Sequence, residues 1–183
     1  LDYAHINGGT LHAHVKVETG MGRLGMQPAD IPPFLRELAD SNVLVDGIFT
    51  HFAGADEPQT GSTLRQLKTF NTLLAELDAE GLKPAVVHAA NSAAIFNFPE
   101  AYFDLVRPGD IIFGMSPSPS IQLGPEFTQA LSWKARIISV HDFPAGQGIS
   151  YGSTYVTSKQ EKIGVMPIGY GDGFRRIDNQ QVL

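Results

Sequence analysis

Cysteine is absent from all 183 residues. That excludes disulfide staples and thiolate chemistry, and it fits a cytoplasmic location. Basic residues are outnumbered: 13 Lys and Arg stand against 19 Asp and Glu, for a net charge of −6. A chain with a pI near 5.4 is not built to grip nucleic acid. No apolar run is long enough to span a bilayer, and no signal-peptide pattern is present, so no membrane partner is expected. Internal repeats and low-complexity tracts are also missing. What remains is an ordinary globular mixture, 43% hydrophobic and 17% charged, long enough for one large core or two small ones.

The positive signals begin at Leu11. Leu11, Ala13, Val15 and Val17 alternate with His12, His14, Lys16 and Glu18, the period of a strand. Gly20, Gly22 and Gly25 then turn the chain tightly, with Arg23 projecting from the turn. An arginine there can grip a carboxylate or phosphate in bidentate fashion, or it can cap a neighbouring carbonyl. The same design repeats. The apolar run Val43 to Phe49 ends in Thr50-His51-Phe52-Ala53-Gly54-Ala55-Asp56. Pro84 to Val87 ends in His88-Ala89-Ala90-Asn91-Ser92, and a short segment around Leu105-Val106 ends in Arg107-Pro108-Gly109-Asp110. Polar residues gathered after successive apolar runs predict a parallel sheet with its site at the strands' C-terminal ends.

The intervening segments carry helical spacing. Ile31, Phe34, Leu35 and Leu38 lie within a helix predicted over Ala29 to Asp40. Leu64, Leu67, Phe70, Leu73, Leu74 and Leu77 share one face of a helix predicted over Ser62 to Glu80, with Ser62 or Thr63 as N-cap and Gly81 just past its end. Asn91 or Ser92 caps a short helix through Phe96. This alternation predicts an α/β class with right-handed crossovers. After Pro125 the pattern changes. Ser132 to Val140, Ile149 to Val156 and Ile163 to Tyr170 read as strands, with a turn over Pro144 to Gly148 and no long helix. A boundary within the proline-rich stretch 116–127 gives regions 1–124 and 125–183. A closed (β/α)8 barrel needs roughly 250 residues, so the chain reads as the middle of a larger protein.

Six motifs occur in order: Lys16-Val17-Glu18-Thr19-Gly20-Met21-Gly22-Arg23-Leu24-Gly25, Thr50-His51-Phe52-Ala53, His88-Ala89-Ala90-Asn91-Ser92, Val106-Arg107-Pro108-Gly109, Ile149-Ser150-Tyr151-Gly152 and Pro167-Ile168-Gly169-Tyr170-Gly171-Asp172-Gly173. Together they resemble the alanine racemase family, fold-type III pyridoxal-phosphate enzymes. The resemblance implies the C-terminal half of a (β/α)8 TIM-type barrel followed by the start of a mostly-β C-terminal domain. It implies pyridoxal 5'-phosphate as cofactor and a homodimer whose active sites combine both subunits. The implied reaction is racemisation of L-alanine to D-alanine for peptidoglycan. Two alternatives stand beside it: a racemase of serine or broader amino-acid specificity, and a non-catalytic PLP-carrying barrel protein. Proteins of the last kind lack a C-terminal β-domain, so the Tyr151 segment counts against it.

The chemistry explains the residue types. The cofactor is an electron sink that the protein orients and tunes. A proton leaves one face and returns on the other, so two bases are natural. The resemblance assigns one to a Schiff-base lysine, placed upstream of Leu1, and the other to Tyr151, reaching the other subunit's site. A phenol ordinarily ionises near pH ~10, so base work at neutrality needs cationic or hydrogen-bonding neighbours. By resemblance His51 and Arg107 supply them. Arg107 matches an arginine at the cofactor's pyridine nitrogen; a permanent cation donates there and weakens the electron sink. Ser92 and the N–H groups of Gly109 and Asp110 match a phosphate cradle, with Asp110 departing from the apolar residue common in relatives. Arg23 matches an arginine beside the substrate carboxylate. Lys16 matches a lysine that is carbamylated in some relatives and orients that arginine. Asp56, Tyr170 and Arg176 match residues of the substrate entrance. No metal is expected. By themselves, Tyr151 also reads as a packed strand tyrosine and Arg107 as an ion pair at a turn. His12, His14 and His141 read as structural and His5 as solvated. The resemblance places a Met-Asp pair that completes the substrate pocket downstream of Leu183, and with the Schiff-base lysine upstream of Leu1 the 183-residue chain alone is expected to be inactive.

Overall fold

The computed structural model describes residues 9–174, and the chain divides into two compact units between Ala130 and Leu131. The first unit is α/β. Strand β1 (Leu11–Lys16) pairs in parallel with β2 (Val43–Phe49), β2 with β3 (Val86–Asn91), and β3 with β4 (Leu105–Arg107). The sheet order β1-β2-β3-β4 follows the sequence, so each strand needs a crossover to return to the same end. Helices α1 (Ile31–Leu38), α2 (Ser62–Ala79) and α3 (Ser92–Asn97) supply those crossovers.

Helix α2 buries Leu67, Phe70, Leu73, Leu74 and Leu77, as its spacing predicts, while Leu64, predicted on the same face, stays exposed in the first turn. Ile31, Ile48, Phe70 and Leu77 are wholly removed from solvent at the centre of this core. Helix α1 is shorter than predicted. Pro28 opens a 3-10 turn over Pro28–Asp30, and Pro32 and Pro33 fill the helix's first turn, where no N–H is needed. Neither Ser62 nor Thr63 caps α2; Gly61 does so in the left-handed region, with φ 66°. Asn91 caps α3, its Oδ1 accepting the Ala94 N–H at 3.0 Å. Strand β3 starts two residues later than predicted and runs on through the polar motif, so His88 and Asn91 lie in the sheet itself.

The second unit is built from short antiparallel pairs: β5 (Ser139–Phe143) with β8 (Glu161–Val165), and β6 (Gly148–Ile149) with β7 (Tyr155–Val156). The strand predicted over Ser132 to Val140 forms only from Ser139. Its alternating residues Trp133 and Ile137 stay exposed, and the partner β8 has five residues to offer. The strand predicted over Ile149 to Val156 is interrupted. Ser150, Gly152 and Ser153 have φ of 59°, 71° and 47°, and a 3-10 turn over Tyr151–Ser153 reverses the chain. The strand predicted over Ile163 to Tyr170 stops at Val165, shortly before Pro167, which has no N–H for a ladder. Thr157 is buried and ties this unit's hairpin down: Oγ1 donates to Pro144 O at 2.6 Å and accepts the Gln147 N–H at 2.9 Å. Among the described residues no helix is long and apolar enough to cross a membrane.

Candidate active site

The C-terminal ends of β1 to β4 carry the polar motifs. After β1 the chain makes a loop that returns to pair with itself: Met26 N–H donates to Lys16 O at 2.9 Å and Glu18 N–H to Met26 O at 2.8 Å. The Glu18 carboxylate accepts the N–H groups of Gly20 at 2.5 Å and Gly22 at 3.0 Å. The Gly22 and Gly20 amides hold its pKa below the usual carboxylate range. Arg23 sits exposed on this loop, and Lys16 closes β1 half-buried.

His51 follows β2. Burial lowers its pKa first, and the charges of Arg107, Arg23 and Lys16 lower it further. Cations from three separate segments therefore act on one imidazole. Among the described residues, none of these three cations forms an ion pair with a carboxylate. Such a cluster is suited to an anionic ligand.

Arg107, the last residue of β4, is the most constrained of the three. Its Nη1 donates to His88 Nδ1 at 2.6 Å, and Nη2 donates to Thr50 O at 2.8 Å and Ala89 O at 3.1 Å. Its guanidinium lies 5.2 Å from the centroid of the Phe49 ring. Burial lowers its pKa, and an arginine remains charged regardless. A guanidinium carries five donors. The Nε–H and one Nη1–H have no protein acceptor among the described residues. Two donors left open on Arg107, beside cations with no carboxylate partner among the described residues, suit a ligand with an acceptor nitrogen and anionic groups.

The remaining candidates divide between the units. Ser92 is buried, and its Oγ accepts the Gly109 N–H at 2.7 Å. Asp110 opens a 3-10 turn with its side chain exposed. Asp56 lies in the loop after β2, where its carbonyl accepts from Ser120 Oγ at 3.1 Å. In the second unit Tyr151 stands on the hairpin turn rather than in a strand, 94% exposed. Its ring packs into no core, which removes the packed-strand reading. Tyr170 begins a 3-10 turn over Tyr170–Asp172, also exposed. Arg176 and His5 lie outside the described residues. Arg107 forms no surface ion pair among the described residues, and His14, read as structural, meets His88 Nε2 with its Nδ1 at 2.7 Å.

Sequence reasoning assigned no role to His88, Gln66 or Thr50. Gln66 is buried on α2. Its Nε2 donates to His51 O at 3.0 Å and Thr19 Oγ1 at 3.1 Å, and its Oε1 accepts the Ala53 N–H at 2.9 Å. Thr50 is fully buried and donates to Val17 O at 3.0 Å. The available signal for Gln66 was a lone polar residue beside Leu67 on an otherwise apolar helix face.

Comparison with known proteins agrees across the chain. Residues 2–117 match the family described as alanine racemase, N-terminal domain, and residues 130–183 match alanine racemase, C-terminal domain. An alanine racemase of Symbiobacterium thermophilum is 47% identical over 173 residues, covering 93% of this chain and 46% of that protein. One of Carboxydothermus hydrogenoformans is 44% identical over 176 residues, covering 95% and 48%. The crystal structure of alanine racemase from D-cycloserine-producing Streptomyces lavendulae superposes with a TM-score of 0.77 at 38% identity, covering 96% of this chain and 47% of that one. The chain spans about half the length of the curated relatives it matches.

Proposed function

This chain belongs to the alanine racemase family, and on that premise we propose that the protein carrying it interconverts L-alanine and D-alanine with pyridoxal phosphate. The observation that carries the reading is the cation cluster around His51. Lys16, Arg23 and Arg107 converge at the C-terminal ends of a parallel sheet with no described carboxylate to neutralise them, and Arg107 keeps two donors open. When bound, pyridoxal phosphate supplies the electron sink that makes the α-proton of an amino acid removable.

Each residue then has a task. Arg107 donates to the cofactor's ring nitrogen without giving up a proton, because its charge is permanent. That moderates the electron sink and disfavours side reactions. Ser92 Oγ and the Asp110 N–H hold the phosphate, and the Gly109 N–H, which donates to Ser92 Oγ here, turns to the phosphate when it binds; the exposed Asp110 carboxylate is free to point away. Arg23 binds the substrate carboxylate, and Lys16, plain or carbamylated, orients it. Tyr151 moves the proton at its phenolic oxygen on one face of the substrate, inside the site of a second copy of the chain. Its 94% exposure on a tight turn suits a side chain offered to another subunit. Asp56, Tyr170 and Arg176 line the substrate entrance. Residues 1–124 are then part of a (β/α)8 barrel, and 125–183 the first part of a C-terminal β-domain. The role is supply of D-alanine for peptidoglycan in the cytoplasm.

The test is D-alanine formation from L-alanine by the full-length protein with pyridoxal phosphate, beside its Tyr151→Phe variant. Turnover that falls by about 10²- to 10⁴-fold in the variant supports both the reaction and the base role. Cofactor binding with racemisation of serine but not alanine overturns the substrate. Cofactor binding without any racemisation overturns the reading in favour of a non-catalytic carrier.

A further inference from the structure

We propose that His14 and His88 form a positioning device for Arg107, a polar file that crosses the sheet and sets the aim of the guanidinium's open donors. The proposal rests on the role given to Arg107 above and adds the residues that make that role possible. His14 lies on β1, His88 on β3 and Arg107 on β4. The strand between His14 and His88 is β2, and opposite His14 it carries Gly47. A Cβ on Gly47 would lie 2.6 Å from the His14 ring. The missing side chain is therefore what lets the imidazole lie over β2 and reach His88. Two residues further along β2, Phe49 stacks on the His88 ring, with centroids 4.8 Å apart and planes inclined by 5°. Phe49 also lies beneath Arg107, so one aromatic face supports two members of the file.

The hydrogen-bond directions follow from valence. Arg107 can only donate, so His88 Nδ1, 2.6 Å away, must be bare. A neutral His88 then carries its proton on Nε2, which donates to His14 Nδ1 at 2.7 Å. His14 in turn keeps its own proton on Nε2. The order Arg107 to His88 to His14 admits a single tautomer at each ring. The groups facing His88 are Arg107 from β4 and His14 from β1, and no carboxylate faces it among the described residues. Burial and the Arg107 charge push its pKa down to about 4, so it stays neutral near pH 7. Protonation at Nδ1 would set N–H against N–H and release the arginine.

Without His88, Arg107 keeps two carbonyl acceptors at Nη2 alone. The guanidinium would then pivot on that edge. The Nε–H and the open Nη1–H would lose their direction while the fold persists.

The experiment uses the full-length protein and three readouts. The ¹⁵N shifts of the imidazoles at pH ~7 are expected to show His88 bare at Nδ1 and protonated at Nε2; an Nδ1–H tautomer or a charged ring overturns the proposal. Affinity for pyridoxal phosphate and the steady-state constants are then compared in His88→Asn and His88→Gln. An asparagine places an acceptor oxygen near the Nδ1 position, whereas a glutamine carries its amide one atom further out. His88→Gln is expected to lose about tenfold or more in both affinity and kcat with KM within about threefold, while His88→Asn stays within about threefold of the parent. Equal losses in the two variants mean a purely structural role, and no loss in either means an idle one; both overturn the proposal. Should His88→Gln not fold, His14→Leu and Gly47→Ala break the file at its far end. Each is expected to lower affinity by about threefold, and unchanged affinity in both overturns it. Tautomer and cofactor affinity do not depend on which amino acid is racemised. A parent that fails to racemise alanine therefore refutes the proposed reaction and leaves this inference to be judged on those two readouts.

Discussion

At the scale of single residues, buried polar groups carry the organisation. Gln66 joins the loop bearing Arg23 to the loop bearing His51 through three hydrogen bonds from one amide. Gln66→Leu would take the acceptor from the Ala53 N–H and one of two partners from the Thr19 hydroxyl, which keeps Thr50 Oγ1 at 2.6 Å. The expected cost is about 1–3 kcal/mol in a denaturant melt, because two loops lose their common anchor. A variant as stable as the parent would remove Gln66 from this role. His88 supplies a pH signature. Its pKa is about 4 when folded and 6.5 ordinarily, so the unfolded chain binds more protons between those values. Stability from this group is complete above pH ~6.5 and is lost as pH falls toward ~4, by up to about 3 kcal/mol. Melting His88→Asn across the same range tests this: the slope there should flatten.

At the scale of elements, the turn after β1 shows that its three glycines are not equivalent. Gly25 has φ 127°, and a Cβ there would lie 2.8 Å from Glu18 N, against backbone that cannot step aside. Gly22 has φ 67° with open space around it. Gly25→Ala is therefore expected to cost more than about 2 kcal/mol, whereas Gly22→Ala costs about 1 kcal/mol. Thermal melts of the two variants decide this; equal effects would contradict the steric argument. Glu18 completes the element by accepting two of its amides. The hairpin of the second unit works by a different device. Positive φ at Ser150 and Ser153 brings β6 directly back into β7 and leaves Tyr151 on the outside. Alternation in Ile149 to Val156 predicted one strand, because periodicity reports side-chain polarity and not the sign of φ.

At the scale of the whole molecule, much apolar surface lies in the open. Leu131 is 81% exposed and Ile138 63%, and among the described residues the first unit's sheet ends at β1 and β4. Surface ion pairs such as Lys162–Asp142 add little to counter this. The 183-residue chain prepared alone is expected to self-associate at micromolar concentration through open sheet edges and exposed apolar side chains. Sedimentation velocity checks it; a single monomeric boundary would show that these surfaces are less adhesive than their composition suggests.

The order of elements in the first unit, its α/β class, most of the face that α2 buries and the positions of the polar motifs were legible in the sequence. They depend on local periodicity, on glycine and proline, and on side-chain chemistry, which a linear chain displays. His51, Ser92 and Arg107 were candidates because the motifs that hold them resemble those of a known family, and motif order too is displayed by a linear chain. Only the tertiary structure decided that Gly47 opens a gap for His14, that Phe49 supports both His88 and Arg107, and that Gln66 binds two loops together. It likewise decided that, among the described residues, the alternation before Ser139 meets a partner strand only at Ile138, whose N–H donates to Val165 O at 2.9 Å, while Trp133 and Ile137 stay exposed. Those facts belong to pairs of segments distant in sequence. Strand register sets which side chains meet across a sheet, and no single segment carries that information.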